Sequence, residues 1–171
     1  MDQNTPHTRA ILEKVRELAN QGYQFEAAEA SFELLMKKEL GKYKTFFEVK
    51  NAVLSNEIIG DKNPTVGATV KIAVKDKEAE ATEVGNGPVD ALYKAFRKVL
   101  IKFYPSVEKM HLIDYKVRVV DSKAGTGAKV RVFIQFQDEA DTWSTVGVSE
   151  NIIEASWKAL VDAVEYKLLK S

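Results

Sequence analysis

From Lys44 onward the apolar positions follow a period of two, then a helical period, and then repeat both in the same order. "FEVKNAVLS" places Phe47, Val49 and Val53 on one side, as a strand requires. After the polar loop "EIIGDKNPTVG", the stretch "ATVKIAVK" alternates Val70, Ile72 and Val74 with Thr69, Lys71 and Ala73. "DKE" predicts a hairpin turn and "AEATEV" a third strand. Beyond "GNGP", the residues Val89, Leu92, Tyr93, Phe96, Val99, Leu100 and Phe103 fall at the spacing of a helix with one buried face, closed by Pro105. The second round begins with "LIDYKVRVV", in which Ile113, Tyr115, Val117 and Val119 alternate. It continues through the loop "SKAGTGA", the strand "KVRVFIQF", the turn "DEAD" and the strand "TWSTVGV". Ile153, Trp157, Leu160, Val161, Val164 and Leu168 stripe a last helix.

Two helices precede this pattern. Arg9 to Asn20 carries Ile11, Leu12, Val15 and Leu18 on one face and stops at "NQG". A second helix is expected from about Phe25 to Leu40, striped by Phe25, Ala28, Phe32, Leu35, Met36 and Leu40, with Gly41 at C′. Such a hairpin is too small to stand alone. The repeat itself is checked by subtraction: Asp90–Phe96 lies over Glu154–Leu160 at a shift of 64 (154 − 90). The same shift sets Val49, Asn51 and Val53 on Ile113, Tyr115 and Val117. The expected architecture is therefore α+β: a helical linker over 1–42, then two βββα units over 43–105 and 106–171. Each unit is too small to bury its own sheet, so sheets pack on helices about a pseudo-twofold axis.

Composition narrows the function. The chain has 171 residues, with 25 basic and 25 acidic side chains, so no basic surplus marks a nucleic-acid surface. Nor are aromatics exposed at the spacing of an RNA-binding sheet. Without Cys there is neither a disulfide frame nor a thiolate metal site, which suits a reducing cytoplasm. No apolar run reaches a membrane span, and "MDQNTPHTRA" is no signal peptide, so no membrane is expected. His7 and His111 are the only histidines and form no metal-ligand spacing. No nucleophile elbow, Cys/His pair, P-loop or dinucleotide fingerprint is present, so no catalytic residue, metal or cofactor is assigned.

The turn "GNGP" remains. At the shift of 64, Gly87 falls on Asn151 and Asp90 on Glu154, a capping-box spacing that makes Asn151 the N-cap of the last helix. Gly87 is then the N-cap of the earlier helix, with Pro88 at N1. Glycines here bare the amides of a helix start, where a carboxylate or phosphate is accepted. An amino acid would find donors in the Gly85 to Pro88 turn, at the amides of Gly85, Asn86 and Gly87, an acceptor at Asp90 or Asp114, and an apolar slot of Val89, Leu112, Tyr115 and Val119. Plain helix punctuation explains the same turn.

Taken together, "GNGPVDAL", "LIDYKVRV", "GTGAKVRV" and "WSTVGVSENIIEASWKAL" resemble the C-terminal regulatory domain of the 2-isopropylmalate synthase and citramalate synthase family. The resemblance covers about Lys44 to Lys170, and "GYQFEAAEASFELL" looks more like the citramalate synthase branch. It implies a fragment lacking the N-terminal TIM barrel, which would carry a divalent metal and condense acetyl-CoA with pyruvate. It also implies a cytoplasmic homodimer that binds isoleucine, or leucine in the sister branch, for feedback inhibition. The effector shell so implied draws on Gly85, Asn86, Gly87, Pro88, Val89 and Asp90, then Leu112, Asp114, Tyr115 and Val119, then Ser149, Asn151 and Ile152. Val89 is smaller than the aromatic some relatives place there, which leaves the pocket volume open.

Overall fold

Residues 6–61, 64–120, 125 and 127–171 are described by a computed structural model. Part of the expected loop "SKAGTGA" and Lys62–Asn63 lie outside them. The chain is α+β. Helices α1 (Pro6–Asn20) and α2 (Glu29–Glu39) precede the antiparallel sheet β1 (Glu48–Glu57), β2 (Thr65–Val74), β3 (Lys77–Gly85) and helix α3 (Pro88–Ile101). A 3-10 turn at Pro105–Lys109 leads to the second sheet, β4 (His111–Val119), β5 (Val130–Gln137), β6 (Thr142–Ser149), and to α4 (Ile152–Lys170). Both expected βββα units are therefore present.

The contacts divide the chain into two units: Met1–Lys44 with Met110–Lys170, and Thr45–Lys109 with Ser171. In the second of these, Val66, Ala68, Val70 and Ile72 of β2 are buried, and so are Ala91, Leu92, Ala95, Phe96, Val99 and Leu100 of α3, which lies across β2 and β3. The turn between β2 and β3 falls at Lys75–Asp76, one residue earlier than "DKE" suggests, with Lys75 at φ 54. The 3-10 turn, which the period does not announce, is pinned by Arg97 Nη2 donating to the Glu108 carbonyl at 2.6 Å.

In the other unit α4 covers β5 and β6, burying Val132, Ile134, Phe136 and Trp143 against Ala155, Ala159, Leu160, Ala163 and Val164. The opposite face of this sheet is covered by the linker. Ala28, Val146 and Val148 form a buried cluster with Tyr23, Phe25 and Phe133 packed on it. Phe25 stacks on Tyr23 at 5.8 Å, so it belongs to this cluster and not to a helical stripe. Helix α2 accordingly starts at Glu29, four residues later than its spacing suggests. Helix α1 starts earlier, at Pro6, and takes in His7; its Leu12 is 48% exposed and leaves the expected stripe.

Two α2 side chains close the free edge of β6. Ser144 N–H donates to Glu29 Oε1 at 2.8 Å and Val146 N–H to Ser31 Oγ at 3.0 Å. An unpaired strand edge invites pairing with another chain, and these bonds blunt it. Both linker helices end in a glycine at positive φ: Gly22 (φ 106) and Gly41 (φ 63). Around Gly41 the bonds Gly41 N–H to Lys38 C=O and Lys42 N–H to Lys37 C=O make a Schellman ending.

One correction concerns the first strand of each unit. β1 and β4 each carry a bulge, at Val49/Asn51 and Leu112/Asp114. Val49 pairs with Ile72 and Leu112 with Phe136, so β1 maps onto β4 at 63 (112 − 49), while β2 maps onto β5 at 64 (136 − 72). Asn51 thus corresponds to Asp114, and Ala52 to Tyr115. Because strand side chains alternate, the bulge also separates Val53 from Val49: Val49, Ala52 and Leu54 share one face, Val53 the other.

Candidate effector site

The first turn is built by contact. A Cβ on Gly85 would sit 2.3 Å from the Ala91 amide nitrogen, so only glycine lets β3 run this close to the start of α3. Gly87 is different. It is the N-cap in an extended conformation (φ −165), and a Cβ there meets nothing within 4 Å. Among the described residues no side chain caps α3, and Pro88 occupies its first position. One amide of the turn is taken: Asn86 N–H donates to Asp90 Oδ2 at 2.9 Å, and Lys94 Nζ lies 2.7 Å from the same oxygen. Partial burial pushes the Asp90 carboxyl up, but these two donors outweigh it and hold it below its ordinary range. Val89 is half-buried on the first turn of α3.

The second turn is capped by a side chain. Asn151 Oδ1 accepts from Ile153 N–H at 2.8 Å and from Glu154 N–H at 3.4 Å. The reciprocal arm of a capping box runs through a serine: Asn151 N–H donates to Ser149 Oγ at 3.1 Å, and Ser149 Oγ donates to Glu154 Oε2 at 2.8 Å. Lys158, beside Glu154 at 2.8 Å, and Ser149 together hold that carboxyl below its usual range. Ser149 and Asn151 line a cavity of about 380 Å³ with Tyr23, Val148, Glu154 and Lys158. Ile152 begins α4 and is 43% exposed. Asn151→Ala should cost about 1 kcal/mol, read as a lower denaturation midpoint, because two amides of α4 lose their acceptor.

β4 sorts its residues by face. The register places Leu112, Tyr115, Val117 and Val119 opposite Phe136, Ile134, Val132 and Val130, on the α4 side. Tyr115 Oη meets Ser156 Oγ of α4 at 2.8 Å, which fixes that side. Phe136, Ile134 and Val132 are fully buried there, yet Val117 is 39% and Val119 58% exposed. So α4 covers two strands of its sheet and leaves β4 apolar and open. Asp114 falls on the opposite face. It pairs with Lys116 at 2.5 Å, which holds its carboxyl low, and lines a separate cavity of about 300 Å³ with Arg118 and Gln135.

The expected shell is therefore distributed. Gly85–Asp90 belong to one unit; Leu112, Tyr115 and Val119 share one face in the other; Asp114 is turned away from them. Two residues escaped the sequence reading. Val117 lies in the same alternation, between Tyr115 and Val119, and could have been added. Ser156 carries a weaker signal, a lone hydroxyl within a buried helical stripe. Among the described residues, no group of three or more His, Cys, Asp or Glu could hold a metal ion, and no helix is long and apolar enough to cross a membrane.

Residues 26–168 match the model of the LeuA allosteric (dimerisation) domain. An (R)-citramalate synthase of Geobacter sulfurreducens is 49% identical over 172 aligned positions, 100% of this chain and 33% of that protein. One from Aquifex aeolicus is 47% identical, over 99% of this chain and 32% of that protein. A 2-isopropylmalate synthase of Aquifex aeolicus is 33% identical over 94% of this chain and 28% of its own length. The chain thus spans about a third of the length of the curated relatives it matches. With the two βββα units and their open first strands, these matches identify the chain as a member of the LeuA allosteric (dimerisation) domain family.

Proposed function

We propose that this chain is the regulatory part of a cytoplasmic (R)-citramalate synthase, an enzyme that condenses acetyl-CoA with pyruvate on a separate barrel. In this reading the domain forms a homodimer and binds isoleucine for feedback inhibition. The observation that carries it is the face of β4, where Leu112, Val117 and Val119 remain exposed although Val132, Ile134, Phe136, Trp143 and Thr145 of the neighbouring strands on that face are buried. An apolar strand face left open by its own helix suits two occupants at once: the aliphatic tail of a guest and a second copy of the chain. In the other unit, the Gly87 amide at the start of α3 is by itself a candidate donor to a carboxylate. Binding that favours one dimer state would bias the barrels, with a coupling on the order of 1–3 kcal/mol. The linker transmits it, tied as it is to β6 and α4 through Ser31 and Glu29. The strength of the match to citramalate synthases favours isoleucine over leucine.

A second reading, a dimerisation module that senses nothing, draws support from Asp90, which already occupies the Asn86 amide. Gly87→Asn separates the two. Its side chain has room and is a good N-cap, so the melting temperature should hold or rise slightly. Calorimetry with isoleucine and leucine should show heat for the parent chain and none for the variant. No heat for the parent at millimolar amino acid leaves the pure dimer module.

A further inference from the structure

The hydroxyl of Tyr115 sits at the end of a hydrogen-bond relay whose direction is fixed. Ser156 Oγ is buried and lies 2.7 Å from the Ile152 carbonyl and 2.8 Å from Tyr115 Oη. A carbonyl oxygen accepts and never donates, and a serine has a single proton. Both contacts are hydrogen bonds only if Ser156 gives that proton to Ile152. Tyr115 must then donate to Ser156. The phenol oxygen is left with lone pairs and no proton for any further group that reaches it. Tyr115 is half-buried, on the β4 face that α4 leaves uncovered.

We infer that Ser156 is a positioning residue that turns Tyr115 into a pure acceptor, so that the group docking against Oη must be a donor such as an α-ammonium. This rests on the proposed effector site and adds its chemical selectivity. An amino acid satisfies the phenol oxygen, whereas its 2-oxo analogue sets one acceptor against another. Sites built to bond a donor reject analogues that lack it far better than apolar pockets reject a changed methyl. The relay therefore separates an amino acid from its 2-oxo acid although their aliphatic tails are identical.

The test is calorimetry on the 171-residue chain with isoleucine and leucine, each beside its own 2-oxo acid. The parent chain should bind one amino acid at least about tenfold more tightly than the matching 2-oxo acid. Tyr115→Phe should bring that ratio close to one by weakening the amino acid alone. Ser156→Ala should narrow it from the other side, since a freed phenol proton can point at the 2-oxo group. Thermal melts of both variants identify any that fail to fold, and Tyr115→Phe decides the matter by itself. A ratio that survives Tyr115→Phe, or a parent chain that binds both members of a pair equally, overturns the relay while leaving effector binding standing. No heat from any of the four probes overturns the effector site and the relay together.

Discussion

Gly147→Ala is expected to be among the most damaging single-methyl changes in this chain, costing on the order of 3 kcal/mol or more. A Cβ at Gly147 would sit 1.9 Å from the Ala155 carbonyl oxygen and 3.0 Å from the Ala159 amide nitrogen. Both are backbone atoms of α4, so no side chain can swing aside. The helix must lift from β6, and Trp143, whose Nε1 donates to the Ala163 carbonyl at 3.1 Å, is drawn out of register with it. Urea denaturation followed by circular dichroism reads the loss. At about 2–4 °C per kcal/mol for a chain of this size, melting should fall by roughly 6–12 °C. Gly87→Ala is the matched control: its methyl enters open space, and the change should stay within about 1 kcal/mol. A Gly147→Ala chain that melts within a degree of its parent would show that β6 and α4 do not approach this closely.

The second large effect is one of pH. Asp162 on α4 is half-buried, and its pKa is raised to about 6: burial pushes it up most, Ser31 and Lys38 of α2 pull against that, and Glu165 one turn along adds to the rise. The groups that face it are Ser31 Oγ, which donates at 2.6 Å, Lys38, which pairs with Glu165 at 2.9 Å, and the phenols of Tyr23 and Tyr43. A carboxyl whose folded pKa lies above its unfolded value stabilises fully below that unfolded value, near 4, and loses the contribution as pH rises through 6. At about 1.4 kcal/mol per unit, the loss between pH 4 and pH 7 is on the order of 2–3 kcal/mol. Asp162→Asn keeps an acceptor for Ser31 and removes the charge. It should therefore be more stable than the parent by about 2 kcal/mol at pH 8 and nearly equal to it at pH 4. Asp90, Asp114 and Glu154, held low by lysines, act in the opposite sense as pH falls, but they are common to both chains and cancel in the difference. A pH-independent difference between the two proteins would refute the assignment.

The alternation of Val130, Val132, Ile134 and Phe136, and the spacing from Asn151 to Glu154, were legible because each is a local rule that its own neighbours satisfy. The bulged strands were not. Lys50 and Ile113 are each an extra residue in an otherwise regular pattern, and a slip of one flips every side chain after it. Tyr115 and Val119 kept their shared face because both follow the bulge; Asp114, between Ile113 and Tyr115, went to the other. Phe25 and Ala28 fit a helical stripe by spacing, and only the sheet they meet, well over 100 residues downstream, turns them into a docking segment. Distant contacts such as Ser31 to Asp162 and Tyr115 to Ser156 leave no trace in any period.

The assignment of the linker to the later βββα unit has a consequence for how the chain assembles as it is made. Arg131 donates to the Gly22 carbonyl and Ser31 to Asp162, so the linker segment waits for partners made 109 and 131 residues later. The unit built on Thr45–Lys109 has its sheet and its helix contiguous in sequence, so it holds these partners far sooner and can close first. Within this stretch, maturation on the ribosome would then start in the middle, and the helices made just before it would settle only after it.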